Sequence, residues 1–190
     1  TVDTKKEREF WNQYLRAQQP TILISPVNSS PTAVEKKAIT YGDFVDRIRT
    51  FCADRCITHA QFFYMCWGLL LRQYLHQDDI VFGIVLSGRE QLPFDATETL
   101  GNFINIMPLR ICLSHIGSID GLISQIREDC LSIAENQYIS LAEVSANAHK
   151  GEGSLFNTLF VVENYPKELL LPTTEYEVTS YCLTEQTEYD

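Results

Sequence analysis

The sequence predicts an α/β fold in which helices pack against a small, mostly central sheet. Two apolar runs, residues 80–86 and 103–112, read as strands, the near-continuous first one buried on both faces of the sheet. A long apolar helix pattern closes just before the first run, and a clean amphipathic helix pattern follows the second. No glycine-rich phosphate loop follows either strand, so the nucleotide-binding version of this class has no support.

Size and composition fit that class. The 190 residues suffice for one large domain, with 45% hydrophobic and 21% charged residues as in ordinary globular proteins. A net charge of -10 argues against a nucleic-acid surface, which needs clustered Lys and Arg, and disfavours anionic lipid. The longest uncharged apolar run, 62–71, is too short to span a bilayer. Six cysteines without a regular framework, and an opening TVDTKKERE without a signal pattern, point to a reduced, cytoplasmic setting. Cys66, Cys112 and Cys130 sit in apolar patterns and read as small core residues.

The elements follow in order. Residues 5–17 read as an amphipathic helix with Phe10, Trp11, Tyr14 and Leu15 on one side. Three prolines and Asn28-Ser29-Ser30 make 18–32 a connector, with an extended piece at 22–24. A strand at 36–40 leads into a helix over 42–53, where Phe44, Val45, Ile48 and Phe51 or Cys52 recur at helical spacing. Thr58 and Gln61 form a capping-box pair opening the strongest helix. Its body, with Phe62, Met65, Trp67, Leu69, Leu70 and Leu75, is apolar on nearly every side and predicts burial between layers. Ser118 caps a helix running to about Asn136, with its apolar stripe at 119, 122, 123, 126, 130 and 133. A short helix at 141–148, a glycine loop at 150–154 and a strand at 155–162 come next. The last 28 residues, 163–190, hold seven acidic side chains against Lys167 and read as partly extended at 176–183.

Catalytic signatures are sparse. Histidines stand singly at 59, 76, 115 and 149. Cys56 and His59 have a metal-like spacing, but no second pair completes a tetrahedral site. Leu86-Ser87-Gly88-Arg89 is not the Gly-x-Ser-x-Gly elbow of serine hydrolases. The acidic pairs Asp78-Asp79 and Glu7 with Glu9 read as solvated helix ends. Arg89, directly after a buried strand and a glycine, can reach back across the sheet end to hold a carboxylate, or can stay solvated. Asn105 among aliphatic residues must satisfy a backbone group or line a wet cavity, and the former is favoured. Asn164, at the end of FVVEN, has a similar ambiguity, with strand termination as its plain reading.

Taken in order, these pieces resemble a nonribosomal peptide synthetase condensation domain over nearly the whole chain. EREFWNQYL is similar to the helix that opens the family's second lobe. ITHAQFFYMCWGLLLRQYLHQDDIVFGIVLSGR resembles its long helix, strand and Gly-Arg signature. GNFINIMPLR resembles G-x-F-V-N-T-x-P-x-R, matching Gly101, Phe103, Asn105, Pro108 and Arg110. SLFNTLFVVENYP resembles P-L-F-x-x-x-F-x-x-x-N, matching Phe156, Phe160 and Asn164, and the closing TEYD is similar to the start of F-D-L-T-L. Ile106 stands where the family has threonine, and HKGEGSLF lacks the Arg- and Ser-rich lead-in. The family's His-His-x-x-x-Asp-Gly motif does not occur in these residues.

The resemblance implies a chloramphenicol acetyltransferase-like lobe, a central mixed sheet flanked by helices. It places residues 1–190 as a partial condensation domain, the C-terminal lobe, with the N-terminal catalytic-motif lobe and the extreme C-terminal elements outside. It implies peptide-bond formation between a donor thioester and an acceptor amine. Both ride on phosphopantetheine arms of peptidyl carrier domains, beside an adenylation domain. Gly88 and Arg89 become lobe-interface residues, Arg89 meeting the missing motif's aspartate, and 90–100 becomes part of the tunnel floor. Gly101, Phe103, Asn105 and Asn164 become tunnel-lining candidates, with no catalytic residue and no metal ligand in this chain. Asn105 and PLR at 108–110 favour condensation over epimerisation (closer to G-W-F-T) or heterocyclisation (G-D-F-T). The alternative is a non-catalytic, condensation-like module that docks carrier or tailoring proteins.

Overall fold

The computed structural model describes residues 4–23, 42–89, 100–148 and 153–162. Predicted strands at 36–40 and 176–183 lie outside them. Within them the chain runs α1 (Thr4–Tyr14), α2 (Gly42–Asp54), α3 (His59–Leu75), β1 (Asp79–Leu86) and β2 (Asn105–Cys112). It continues with α4 (Ile119–Glu135), α5 (Leu141–Ala148) and β3 (Leu159–Phe160). The sheet order is β2-β1-β3, with β1 antiparallel to β2 and parallel to β3.

Helix boundaries follow the local chemistry. The capping box at α3 forms as expected: the Gln61 amide donates to Thr58 Oγ1 at 3.1 Å, and the Thr58 amide to Gln61 Oε1 at 2.9 Å. Ser118 caps α4 by accepting from the Gly121 amide at 3.1 Å. α1 stops at Tyr14, short of the predicted residue 17, where Ala17 turns the chain with φ 58°. Its Trp11 is buried and donates from Nε1 to the Asn136 carbonyl at 2.8 Å, docking α1 on the turn after α4.

α3 corrects the sequence reading. It buries Tyr64, Met65, Gly68 and Leu71 against β1 and α4, while Phe63, Leu70 and Tyr74 are exposed. One face meets packed neighbours among the described residues, so this is a helix laid on one side of the sheet rather than between layers. Cys66 shares the outward face and is exposed; Cys112 and Cys130 are only half-buried, and Cys52 is the buried thiol.

The interior of the sheet is β1, whose residues Ile80–Ile84 include Ile80, Val81, Phe82 and Ile84 with no measurable exposure. Gly83 is there because of close approach. A Cβ would lie 2.6 Å from Phe156 Cε2 and 2.8 Å from Leu159 Cδ1. The predicted strand 155–162 is reduced to two paired residues, Leu159 and Phe160, plus a separate parallel bridge between Phe156 and Thr21. Asn157 interrupts it: its side-chain amide bonds both the N–H and the carbonyl of Leu23, each at 2.8 Å, in place of a backbone ladder.

Hydrogen-bond direction fixes the pairing of β1 and β2. The Val81 amide donates to Thr21 Oγ1 at 2.8 Å and the Gly83 amide to the Thr158 carbonyl at 3.0 Å. Those groups face away from β2, so the alternate residues 80, 82, 84 and 86 face it. Pro108, opposite Gly83, then falls in a non-hydrogen-bonded pair, where its missing N–H would point outward. The neighbouring outward amides are also covered. Ile106 donates to Asn105 Oδ1 at 2.9 Å, and Arg110 donates to Tyr14 Oη at 2.9 Å. Three successive outward positions of this edge strand thus offer no bare donor to another chain.

Arg110 locks the same corner. Its Nε and Nη2 hold the two oxygens of Asp79, each at 2.8 Å, and its Nη1 donates to the Tyr14 carbonyl at 2.7 Å. One fork therefore joins β1 to β2 and caps the C-terminus of α1. Asp79, read from sequence as part of a solvated pair, is the first residue of β1 and a structural anchor. Asp78 bonds Arg72 at 2.6 Å.

Behind this corner lies Asp129 of α4, whose Oδ2 is buried without a partner among the described residues. Burial pushes its carboxyl up to about 6, helped by Glu128 and opposed by the nearby Tyr14 and Gln125 side chains and the Arg110 charge. Burial, with the nearby Asp129 charge, also raises the Tyr14 phenol well above its ordinary value. A carboxyl raised in the folded state binds its proton before the unfolded one does as pH falls. Its stabilising contribution is therefore complete below about pH 4 and is lost as pH rises through about 6. Urea midpoints measured across this window should fall with rising pH for the native chain, and Asp129→Asn should flatten the slope while keeping the size of the side chain. An unchanged slope in the variant would assign the dependence to another group.

Candidate functional site

The β1–β2 ladder ends at Leu86 and Asn105, and just beyond it Gly88 and Phe103 lie together. Gly88 has φ 67°, and a Cβ on it would lie 2.0 Å from the Phe103 carbonyl oxygen. Only glycine accepts both the left-handed backbone and the contact. Gly101 approaches from the other side, where a Cβ would lie 3.1 Å from Phe103 Cε2.

Arg89 lies across this corner. Its Cζ stands 4.6 Å from the centroid of the Phe103 ring, within cation–π range, and its Nη2 donates to the Gly101 carbonyl at 3.3 Å. Sequence reasoning offered Arg89 as a carboxylate clamp at the sheet end. The bidentate clamp among the described residues is Arg110 on Asp79, and Arg89 is held on an aromatic face.

Asn105 opens β2, and its amide resolves the ambiguity left by the sequence. Nδ2 donates to the Gln137 carbonyl at 2.6 Å and towards the Ile139 carbonyl at 3.4 Å, while Oδ1 accepts from Ile106. The side chain satisfies backbone groups, tying the start of β2 to the turn between α4 and α5. Gly88, Arg89, Gly101, Phe103 and Asn105 thus converge on one end of the β1–β2 pair. Asn164 and residues 90–99 of the predicted floor segment 90–100 lie outside the described residues.

Sequence reasoning missed the partners of Arg110. Asp79 looked like half of an acidic pair, and Tyr14 like one member of an apolar helix face. Only the register brings β1's first residue and α1's last beside Arg110. Among the described residues no group of three or more His, Cys, Asp or Glu side chains is placed to hold a metal ion, and no helix is long and apolar enough to cross a membrane. His59 is the first residue of α3, and His76, with φ 54°, is its C-cap.

Known proteins share this fold. The family model described as condensation domain matches residues 2–190. Nonribosomal peptide synthetase ungA' of Aspergillus campestris is 31% identical over 170 residues, which is 86% of this chain and 2% of that protein. A four-domain nonribosomal peptide synthetase in its holo form, bound to AMP and glycine, superposes with a TM-score of 0.70 at 19% identity, over 90% of this chain and 14% of that one. The first condensation domain of the calcium-dependent antibiotic synthetase, in complex with a substrate analogue, superposes with a TM-score of 0.62 at 13% identity. That match covers 87% of this chain and 35% of the other. At these identities the superpositions establish the shared fold, and the sequence matches establish the family. The chain spans a small fraction of the synthetases that it matches, and it belongs to the condensation-domain family of nonribosomal peptide synthetases, whose general chemistry is peptide-bond formation.

Proposed function

We propose that this chain is the C-terminal lobe of a condensation domain that joins a donor acyl or peptidyl thioester to an acceptor aminoacyl thioester. In that reaction the acceptor amine attacks the thioester carbonyl, a C–N bond forms, the C–S bond breaks, and the amine proton ends on the departing phosphopantetheine thiolate. Both reactants would arrive on phosphopantetheine arms of donor and acceptor carrier domains, with an adenylation domain as neighbour. Positioning two tethered reactants is itself a large part of such catalysis. The base that orients or deprotonates the amine would come from the histidine motif of an N-terminal lobe, since histidines in this chain stand singly.

The observation that carries this reading is the corner at the end of β1–β2. Gly88 and Arg89 leave one strand against Gly101 and Phe103 leading into the next, in the order and spacing of the family's signatures. In the proposed assembly Arg89 braces the lobe interface by pairing with the motif's aspartate. Gly101, Phe103, Asn105 and Asn164 shape the tunnel near the thioester. Asn105 would do so through backbone, since its amide already holds the Gln137 carbonyl.

Incubating this polypeptide alone with loaded donor and acceptor carriers should give no peptide, and measurable turnover would contradict the division of labour. In the full synthetase, Arg89→Ala should lower the condensation rate by about ten- to a hundred-fold, the scale of a lost charge-assisted pair. A rate and melting temperature equal to the parent's would remove Arg89 from the interface. Inactivity of the unmodified synthetase with correctly loaded carriers would instead favour the docking-module alternative.

A further inference from the structure

We propose that Phe103 is a positioning residue whose ring face holds the Arg89 guanidinium in place at the sheet end. This rests on the reading of Arg89 as an interface brace and goes beyond the tunnel-lining role expected for Phe103.

Three contacts close on one another. Arg89 Cζ lies 4.6 Å above the ring, the ring edge lies against Gly101, and the Gly101 carbonyl accepts from Arg89 Nη2 at 3.3 Å. Phe103 sits against both glycines. Its backbone carbonyl occupies the place of a Gly88 Cβ, and its ring edge is 3.1–3.2 Å from where a Gly101 Cβ would stand. Gly88 thus leaves room for the Phe103 backbone and Gly101 for its ring, whose face meets one cation.

The physical consequence is pre-organisation. A guanidinium on a flexible stem loses much rotamer freedom when it enters an ion pair. One lying on an aromatic face has given up part of that freedom already, so the proposed contact with the motif's aspartate costs less ordering. Asn105, two residues on, bonds the α4–α5 turn and holds the strand that carries the ring. Phe103 therefore acts on the reaction through Arg89 and need not touch either substrate.

The test uses the full synthetase with loaded carriers and compares Phe103→Leu, Phe103→Tyr, Arg89→Ala and the Arg89→Ala/Phe103→Leu double variant. Phe103→Leu should lower the condensation rate about two- to five-fold, the scale of a partly exposed cation–π contact. Phe103→Tyr, which keeps the ring face, should restore it. In the Arg89→Ala background, Phe103→Leu should cost nothing further. An equal loss with and without Arg89 would overturn the proposal and return Phe103 to the tunnel wall. No loss from Phe103→Leu, with Arg89→Ala still impaired, would overturn it while leaving the reading of Arg89 intact. No loss from Arg89→Ala would overturn both. Should Phe103→Leu fail to fold, Phe103→Met keeps apolar bulk without a ring face and decides between the same outcomes.

Discussion

The antiparallel ladder from Asp79–Cys112 to Leu86–Asn105 constrains where the rest of the chain can go. A slip of one residue would turn each inward side chain of one strand outward and would move Pro108 into a pair that needs its missing N–H. The Arg110 amide would leave the Tyr14 hydroxyl, and Asn105 would leave the Gln137 carbonyl, because both partners stand on other elements. Register is thus held by burial, by one proline and by two side-chain hydrogen bonds together. The ladder ends just before Gly88 and Phe103 meet, so the candidate site is a consequence of the ladder.

Around this ladder the chain separates two kinds of arginine. Arg110 is tied to Asp79 by both oxygens and to the end of α1 by a third bond, and its side chain is mostly buried. Such a fork fixes geometry and is occupied. Arg89 sits on a ring at the end of the sheet, where an aromatic face and the Gly101 carbonyl are among its contacts. The first is suited to holding the fold together. The second lies at the corner proposed to meet another part of a condensation domain.

Much of this was legible in the sequence, and the reasons differ by residue. The capping box at Thr58 and Gln61 and the cap at Ser118 are local, so spacing alone gives them. β1 was legible because a strand buried on both faces reads as unbroken apolar residues. The exposed side of α3 was not, because periodicity cannot say which apolar residues find a neighbour; Phe63, Leu70 and Tyr74 carry the same letters as a core. The shortened β3 was hidden by Asn157, whose side chain imitates a peptide to bond Leu23. Asp79 and Tyr14 escaped notice because their roles depend on partners 31 and 96 residues away. Asn105 was framed correctly, as a choice that a backbone partner would settle.

The register is the claim on which the site depends, and cross-linking tests it directly. Residues 85 and 106 form a directly opposed pair next to Pro108, of the non-hydrogen-bonded type, whose Cα separation of about 4.5 Å suits a disulfide. Replacing Val85→Cys and Ile106→Cys in the synthetase, then mapping peptides after mild oxidation, should show those two positions joined. The offset pair, Val85→Cys with Met107→Cys, should remain unjoined, since residue 107 sends its side chain to the opposite face. Efficient joining of the offset pair and none of the opposed pair would contradict the register, and with it the placing of Gly88 and Arg89 against Phe103.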